Sequence, residues 1–289
     1  MKKRWKIGII GTDGGIGSGH SREVCAYLSE GIYSAAVTAV YGEKREEAEA
    51  VAKSVGLCGA KSAAAVMDAA DAVMVMHRDG RAHTQYALAC LKKGVPVFVD
   101  KPLCCSVQEA EEIADAAEKN HTVLVSGSAV SFSPAVAAVR EEIRKKGAPS
   151  AGYLSFPLND QPEYGGIHFY THHLLCAAYA AFGEEIRSVT AHRVGENAAV
   201  IAKYKTFPLI MNFAANYGGL HIGAYFKDGT ATMQEMSLFE TPRLQLEYFI
   251  KVLSGAAAPQ SRTELLWPVR VSCAIEQSLK CGREIKVQP

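Results

Sequence analysis

The chain has 289 residues, enough for two domains, with 48% hydrophobic and 21% charged residues, the balance of an ordinary globular protein. A net charge of +1 gives no global field to recruit nucleic acid or an anionic membrane. No apolar run reaches the ~18 residues of a bilayer span, and the one after the basic "MKKRWK" stops at Ile10, too short for a signal-peptide core.

Strand and helix patterns alternate over residues 1–126. "WKIGII" is a short apolar strand, and "SREVCAYLSE", beyond a glycine-rich stretch, has helical spacing. "AAVTAVY" is β-rich, "EKREEAEAVAKSV" an amphipathic helix, and "DAVMVM" a further apolar run. "AHTQYALACLKKG" reads as a helix with Lys92 and Lys93 in its last turn and Gly94 at its stop. After the strand "VPVFVD" comes "SVQEAEEIADAAEKN", a helix with Ser106 and Glu109 spaced as a capping box, and then "TVLVS". This alternation predicts a parallel sheet covered on both faces, whose ligands bind beyond the carboxyl ends of the strands. Those ends are Gly11, Tyr41 to Glu43, His77 to Asp79, and Asp100 with Lys101.

Residues 127–289 read as a second, α+β domain. "SPAVAAVREEIRKKG" is a helix, "GAPSAG" a turn, and "PLNDQPEYGG" a loop into the helical "IHFYTHHLLCAAYAAFG". The β-rich stretches "RSVTAHRV", "AAVIAKY", "PLIMNFAANY", "GLHIGAYF" and "TATMQ" follow, and helices at 241–254 and about 262–281 close the chain. Strands in succession flanked by helices predict a mostly antiparallel open sheet. Apolar residues at both registers of these strands predict two covered faces, one of them by a second subunit in a dimer or tetramer, although a monomer's own helices could cover both. Cys25, Cys58, Cys90, Cys104, Cys105, Cys176, Cys273 and Cys281 have no CxxC spacing. They read as reduced thiols of a cytoplasmic protein, with no metal expected.

"GTDGGIGSGH", residues 11–20, crowds glycines between the first strand and the first helix. A dinucleotide loop needs a strand, a G-x-G-x-x-G turn and a helix start, whose amides hold the pyrophosphate. Read strictly from Gly11 the pattern fails, because Asp13 and Ile16 occupy glycine positions. With one residue inserted, Gly14 and Gly17 become the second and third glycines of a loop running through Thr12, Asp13, Gly15 and Ile16. The Asp13 carboxylate should then point away from the pyrophosphate, since like charges repel. An acidic residue at the end of the second strand would grip an adenosine ribose. Here Gly42 stands in that place and Glu43 follows, while Lys44 and Arg45 suit either a 2′-phosphate or a solvated helix start. The reading is therefore NAD or NADP.

"DKPLCCSVQEAEEI" resembles the E/D-K-P motif of the glucose–fructose oxidoreductase / inositol dehydrogenase / rhizopine catabolism (Gfo/Idh/MocA) family. "GIGSGH" is similar to its glycine loop, and "DAVMVMHRDGRAHTQYALACLKKGVPVFVDKP" to the strand–helix–strand before the motif, with His83 at the usual histidine. "SFSPAVAAVREEI" resembles the entry to the second domain, and "GGIHFYTHHLLCAAYAAFG" the helix that carries a catalytic histidine. The resemblance implies a Rossmann domain plus a second domain whose open sheet commonly forms the oligomer interface. It also implies nicotinamide-dependent hydride transfer at a carbon of a sugar, cyclitol or related polyol.

Hydride transfer from an alcohol needs a group to take the hydroxyl proton. By resemblance, Lys101 holds the substrate oxygen, Pro102 sets the turn that aims it, and Asp100 helps place the cofactor with His77 and His83. His173 is the acid/base, but the aspartate expected four residues before it is Phe169, and Cys176 replaces the acidic residue often found three later. The segment looks more like a Y-x-x-H variant, Tyr170 and His173, with Tyr170 contacting the substrate hydroxyl. His168 and His172 are i, i+4 neighbours, read as substrate contacts or packing because no carboxylate completes a metal set. His20 and His121 read as helix-start and turn residues. Lys101 and His173 should meet beside the nicotinamide. Two other activities fit the same residues: redox-assisted glycoside hydrolysis or elimination with tightly held NAD, and a cofactor-binding sensor without turnover.

Overall fold

The computed structural model describes residues 3–13, 19–157, 162–215, 219–237 and 241–288. Contacts divide the chain into two compact units: residues 1–104, 108–126 and 243–265 form the first, and 105–107, 127–242 and 266–289 the second.

The first unit carries β1 (Trp5–Ile10), α1 (His20–Ser29), β2 (Ala35–Tyr41), α2 (Arg45–Ser54), α3 (Ala63–Ala69), β3 (Ala72–Val75), α4 (His83–Lys92), β4 (Val97–Val99), α5 (Val107–Lys119) and β5 (Leu124–Ser126). Its five strands form one sheet in the order β2-β1-β3-β4-β5, all parallel. The chain steps outward from β1 in both directions, so the switch point of this doubly wound sheet lies at β1 and β3, where ligands of such folds bind. Short α3 was not expected from the sequence. Ser62 starts it by accepting the Ala65 N–H at 3.2 Å, a cap that satisfies an otherwise unpaired amide.

The second unit carries α6 (Pro134–Lys146), β6 (Ala151–Pro157), α7 (Ile167–Phe182), β7 (Ser188–Val194), β8 (Asn197–Lys203), β9 (Pro208–Ala214), β10 (His221–Tyr225) and β11 (Ala231–Glu235). After α8 (Thr241–Leu253) and α9 (Arg262–Cys281), β12 (Ile285–Lys286) completes a seven-stranded sheet in the order β11-β10-β6-β9-β8-β7-β12. Every pairing is antiparallel except β6 with β9. No strand is expected between the "GAPSAG" turn and the "PLNDQPEYGG" loop, where β6 stands. The strand forms because β10 and β9 pair with it on either side. Gly152 within it has no room for a side chain: a Cβ would lie 2.6 Å from Leu209 Cδ1.

The sheet's two faces differ. Along β8 exposed and buried residues alternate strictly, and the buried face joins α6, α7 and α9 in the core through Leu154, Phe156, Leu174, Val200, Met211, Phe213 and Val271. The opposite face exposes Ile201, Ile210, Tyr225 and Met233. Apolar residues at both registers therefore mark one internally covered face and one open face.

The contiguous second domain expected at 127–289 is interrupted, because Arg243–Leu265 belongs to the first unit. The reason is apolar: Leu246, Phe249 and Val252 of α8 complete the core of Ile7, Val24, Leu28 and Phe98, with Phe249 and Phe98 ring centroids 5.7 Å apart. Polar ties reinforce this return. Arg243 forks onto Glu30 at 2.5 and 2.6 Å, Gln260 accepts the Ser126 N–H at 2.8 Å, and Arg262 pairs with Glu111, Asp115 and Glu118.

Candidate active site

In the first unit the candidate residues gather at the carboxyl ends of β1 to β4. Gly11 ends β1 with φ +96°, a conformation that favours glycine. A Cβ there would meet the His77 nitrogen at 2.5 Å, so β1 and β3 pack too closely at their ends for any side chain. Thr12 is buried, and its Oγ1 occupies the space a Cβ on Gly42 would need, 1.9 Å away. This accounts for the glycine where an acidic residue was expected. The Asp13 carboxylate accepts the Arg78 N–H at 3.2 Å. Gly14, Gly15, Ile16 and Gly17 lie outside the described residues.

Glu43 is bound by two neighbours. Both its oxygens lie 3.0 Å from His77 Nε2, and the Tyr86 hydroxyl donates to Oε1. The Tyr86 ring stacks on His77 at 5.0 Å and 5°. Partial burial opposes ionisation of Glu43, but the hydrogen bonds from His77 and Tyr86 outweigh it and hold the carboxyl at about 2. His77 is buried, and its Nδ1 has no hydrogen-bond partner among the described residues. Lys44 pairs with Glu47 at 3.3 Å and Arg45 with Glu49 at 3.4 Å, both on the exposed start of α2.

A second group surrounds the D-K-P turn. Asp100 and Lys101 are both buried. Asp100 Oδ2 lies 3.2 Å from His20 Nδ1. Burial alone would raise the Asp100 carboxyl, yet the His20 and Lys101 charges hold it well below the usual carboxylate range. Burial pulls His20 down, but Asp100 more than compensates and leaves it above its ordinary value. His20, read from sequence as a mere helix-start residue, is thus the ion-pair partner of Asp100 across 80 positions of sequence. Nothing in the sequence connects the two beyond their places at the start of α1 and the end of β4. The Lys101–Pro102 peptide is cis. His83, expected to face the cofactor, instead spans two carbonyls, with Nδ1 2.6 Å from Pro102 O and Nε2 2.9 Å from His77 O. Both ring nitrogens are engaged by backbone, which ties the D-K-P turn to the end of β3.

In the second unit, α7 presents its histidines to different surroundings, because successive residues turn about 100° around a helix. His168 is buried toward α9, with Nδ1 2.7 Å from Ser272 Oγ and Nε2 3.5 Å from Glu276. Burial lowers its imidazole against the opposing pull of Glu276. Of the two expectations for His168, substrate contact or packing, these contacts with α9 are those of packing. His172 is buried as well. Half-buried His173 stacks on Phe156 at 5.0 Å and 13°, and Tyr170 lies 6.4 Å from it, ring to ring. Ser128 Oγ lies 2.6 Å from His173 Nδ1, a partner the sequence reading missed. Lys101 belongs to the first unit, and His173 and Tyr170 to the second.

Residues 5–128 match the model of an oxidoreductase family with an NAD-binding Rossmann fold, Gfo/Idh/MocA. The match covers the first unit's parallel sheet and less than half of the chain, and over that segment the chain is similar to the Gfo/Idh/MocA oxidoreductases. The inositol 2-dehydrogenase of Cereibacter sphaeroides is 37% identical over 149 residues, which cover 50% of this chain and 42% of that protein. The chain thus spans less than half the length of this relative. A myo-inositol dehydrogenase from Corynebacterium glutamicum superposes with a TM-score of 0.81 at 16% identity, covering 99% of each chain. GenD2 from gentamicin A biosynthesis, solved in complex with NAD, superposes with a TM-score of 0.83 at 16% identity, covering 100% of this chain and 98% of that one. At such identities these likenesses establish the fold of the whole chain, in both units. The family's cofactor is a nicotinamide dinucleotide, and no described helix is long and apolar enough to cross a membrane.

Proposed function

We propose that the protein is an NAD-dependent dehydrogenase that transfers a hydride at a CH–OH carbon of a cyclitol or sugar. The observation that carries this reading is the His20–Asp100–Lys101 cluster, in which Asp100 and Lys101 are buried and His20 is half-buried, together with the inositol 2-dehydrogenase relative. The residues fit the cofactor. Gly11 lets the ends of β1 and β3 close on each other, and the buried His77 Nδ1 and His20 Nε2 atoms have no hydrogen-bond partner among the described residues, as expected of groups that await a ligand. Gly11 to Gly17, Asp100 and His77 would hold the dinucleotide. Glu43 would accept from the adenosine ribose. Its carboxylate, ionised down to a pH of about 2, repels a 2′-phosphate, and Lys44 and Arg45 are drawn to Glu47 and Glu49. The reading is therefore NAD over NADP.

When bound, the nicotinamide supplies or accepts the hydride. The chain's own groups do the rest. Lys101 holds the substrate oxygen and stabilises its developing negative charge. His173 exchanges the hydroxyl proton, and Tyr170 orients the same oxygen. The open sheet face of Ile201, Ile210, Tyr225 and Met233 supports a homo-oligomer, which light scattering at micromolar concentration reads directly. Eight free thiols suit the cytoplasm.

The test is incubation of purified protein with NAD and a panel of cyclitols and sugars, following the absorbance of reduced nicotinamide. Turnover with one of them, lost in Lys101→Met, is the expected result. Absence of any dinucleotide binding by calorimetry would overturn the reading.

A further inference from the structure

Two histidines at the strand ends of the first unit share one arrangement. Each has one ring nitrogen against a carboxylate, His77 Nε2 at 3.0 Å from Glu43 and His20 Nδ1 at 3.2 Å from Asp100. Each has its other nitrogen buried, with no hydrogen-bond partner among the described residues. An ionised carboxylate only accepts, so the nitrogen that faces it carries a hydrogen. A buried polar atom left unmatched costs stability unless a ligand completes it. His77 already stands among the cofactor contacts. His20 does not, and its orphaned Nε2 has no role in the fold.

The place of His20 decides which part of a dinucleotide it meets. It is the first residue of α1, directly after the glycine-rich stretch, and a dinucleotide fold seats the pyrophosphate at the N-terminus of that helix. Gly19 supplies no side-chain cap there. The charged groups facing the ring are Asp100 at the end of β4, Glu23 three residues along α1, and Lys101. Glu23 is engaged by the Tyr27 hydroxyl at 2.6 Å. Burial, Lys101 and the helix N-terminus oppose a charge on the ring, Asp100 and Glu23 favour it, and the balance lies above the ordinary histidine value.

We propose that His20 is a pyrophosphate-binding residue: Asp100 holds its Nδ1–H, Nε2–H donates to a phosphate oxygen, and binding of NAD therefore takes up a proton. This rests on the reading of the first unit as an NAD site, and it adds a proton balance to that reading. The neutral ring keeps its hydrogen on Nδ1, against Asp100. The incoming proton comes from the solvent and goes to Nε2, so no ring proton has to move. The pyrophosphate, anionic throughout, favours the imidazolium and raises the pH at which it loses its proton. At a pH where the free protein's ring is already charged, nothing is taken up. At higher pH each NAD brings up to one proton with it, and affinity falls as pH rises. Had Nε2 served as a bare acceptor for a ribose hydroxyl, binding would favour the neutral ring and release a proton instead.

Calorimetric titration of the full chain with NAD, repeated in buffers of different ionisation enthalpy, counts these protons. We expect net uptake above about pH 6.5, vanishing at more acidic pH. ADP-ribose, which carries the pyrophosphate without the nicotinamide, should show the same uptake. His20→Gln keeps an N–H donor but cannot titrate. It should lose the uptake and bind NAD about tenfold more weakly near pH 6.5. NAD bound without uptake, or with release, at every pH from about 6 to 9 overturns the proposal, whether or not the glutamine variant folds. So does uptake that survives in a folded His20→Gln, or uptake with NAD that is absent with ADP-ribose. Failure to bind either ligand overturns this proposal and the NAD reading together. Uptake by a protein that turns over no cyclitol or sugar counts against the dehydrogenase reading alone.

Discussion

At the strand ends of the first unit, ionisable groups are set against one another: His20 and Lys101 against Asp100, and His77 against Glu43. Against His173 in the second unit stand a phenylalanine face, a tyrosine ring and a serine hydroxyl. These are two ways to hold a titratable side chain in place. Opposed charges hold it firmly and favour its charged form. Rings and a hydroxyl fix its direction and leave its proton free to move. The first suits groups that stay charged, the second a group that must change state.

The largest effects should come from removing one residue from each region. Lys101→Met and His173→Ala should each lower kcat/KM by about a hundredfold to ten-thousandfold, with the NAD dissociation constant nearly unchanged in steady-state and titration measurements. Near-normal turnover in His173→Ala would move proton transfer to another residue and erase the contrast.

Asp100→Asn should follow, with a loss of about 1.5–3 kcal/mol in denaturant unfolding, since it removes the charged partner of His20. The pH dependence has a definite sign. The lowered Asp100 gives stability that is present above about pH 4 and lost as pH falls through its folded value. The raised His20 gives stability that is full below about pH 6.5 and lost as pH rises through its folded value. Melting temperature should therefore decline on both sides of a weakly acidic maximum in the unsubstituted protein. It should decline less in Asp100→Asn.

These residues were unequally legible in the sequence. Parallel strands with crossover helices follow from local periodicity, and the D-K-P turn is a contiguous motif, so the first sheet and Lys101 could be read directly. Strand β6 could not be: "AGYLSFP" lacks alternation, and its strand character comes from β9 and β10, which lie far along the chain. His20 with Asp100, and Ser128 with His173, are likewise partners 80 and 45 residues apart. A lone serine carries no spacing signal. The two carbonyls that engage His83 were not legible either, because the sequence gives its position but not what packs against it.

A smaller effect sharpens the contrast at the adenosine end. Glu43→Gln removes the charge His77 faces and should narrow the preference for NAD over NADP by about tenfold, or 1.4 kcal/mol, in paired binding titrations. An unchanged ratio would mean that Glu43 serves only the His77–Tyr86 cluster. The smallest should be Tyr170→Phe, a loss of one neutral hydrogen bond worth about 0.5–1.5 kcal/mol. It should appear as a several-fold rise in KM with little change in kcat.

The placement of α8 with the first unit has a consequence for synthesis. When residue 126 leaves the ribosome, all five strands of the parallel sheet exist. Leu246, Phe249 and Val252, which complete their core around Phe98, do not. The nascent nucleotide-binding unit must wait more than a hundred residues with part of its apolar core uncovered, during which six of the second sheet's seven strands are translated. Exposed surface of this kind is what chaperones hold and what aggregates when they are absent. A truncation placed at the apparent domain boundary would make that transient state permanent.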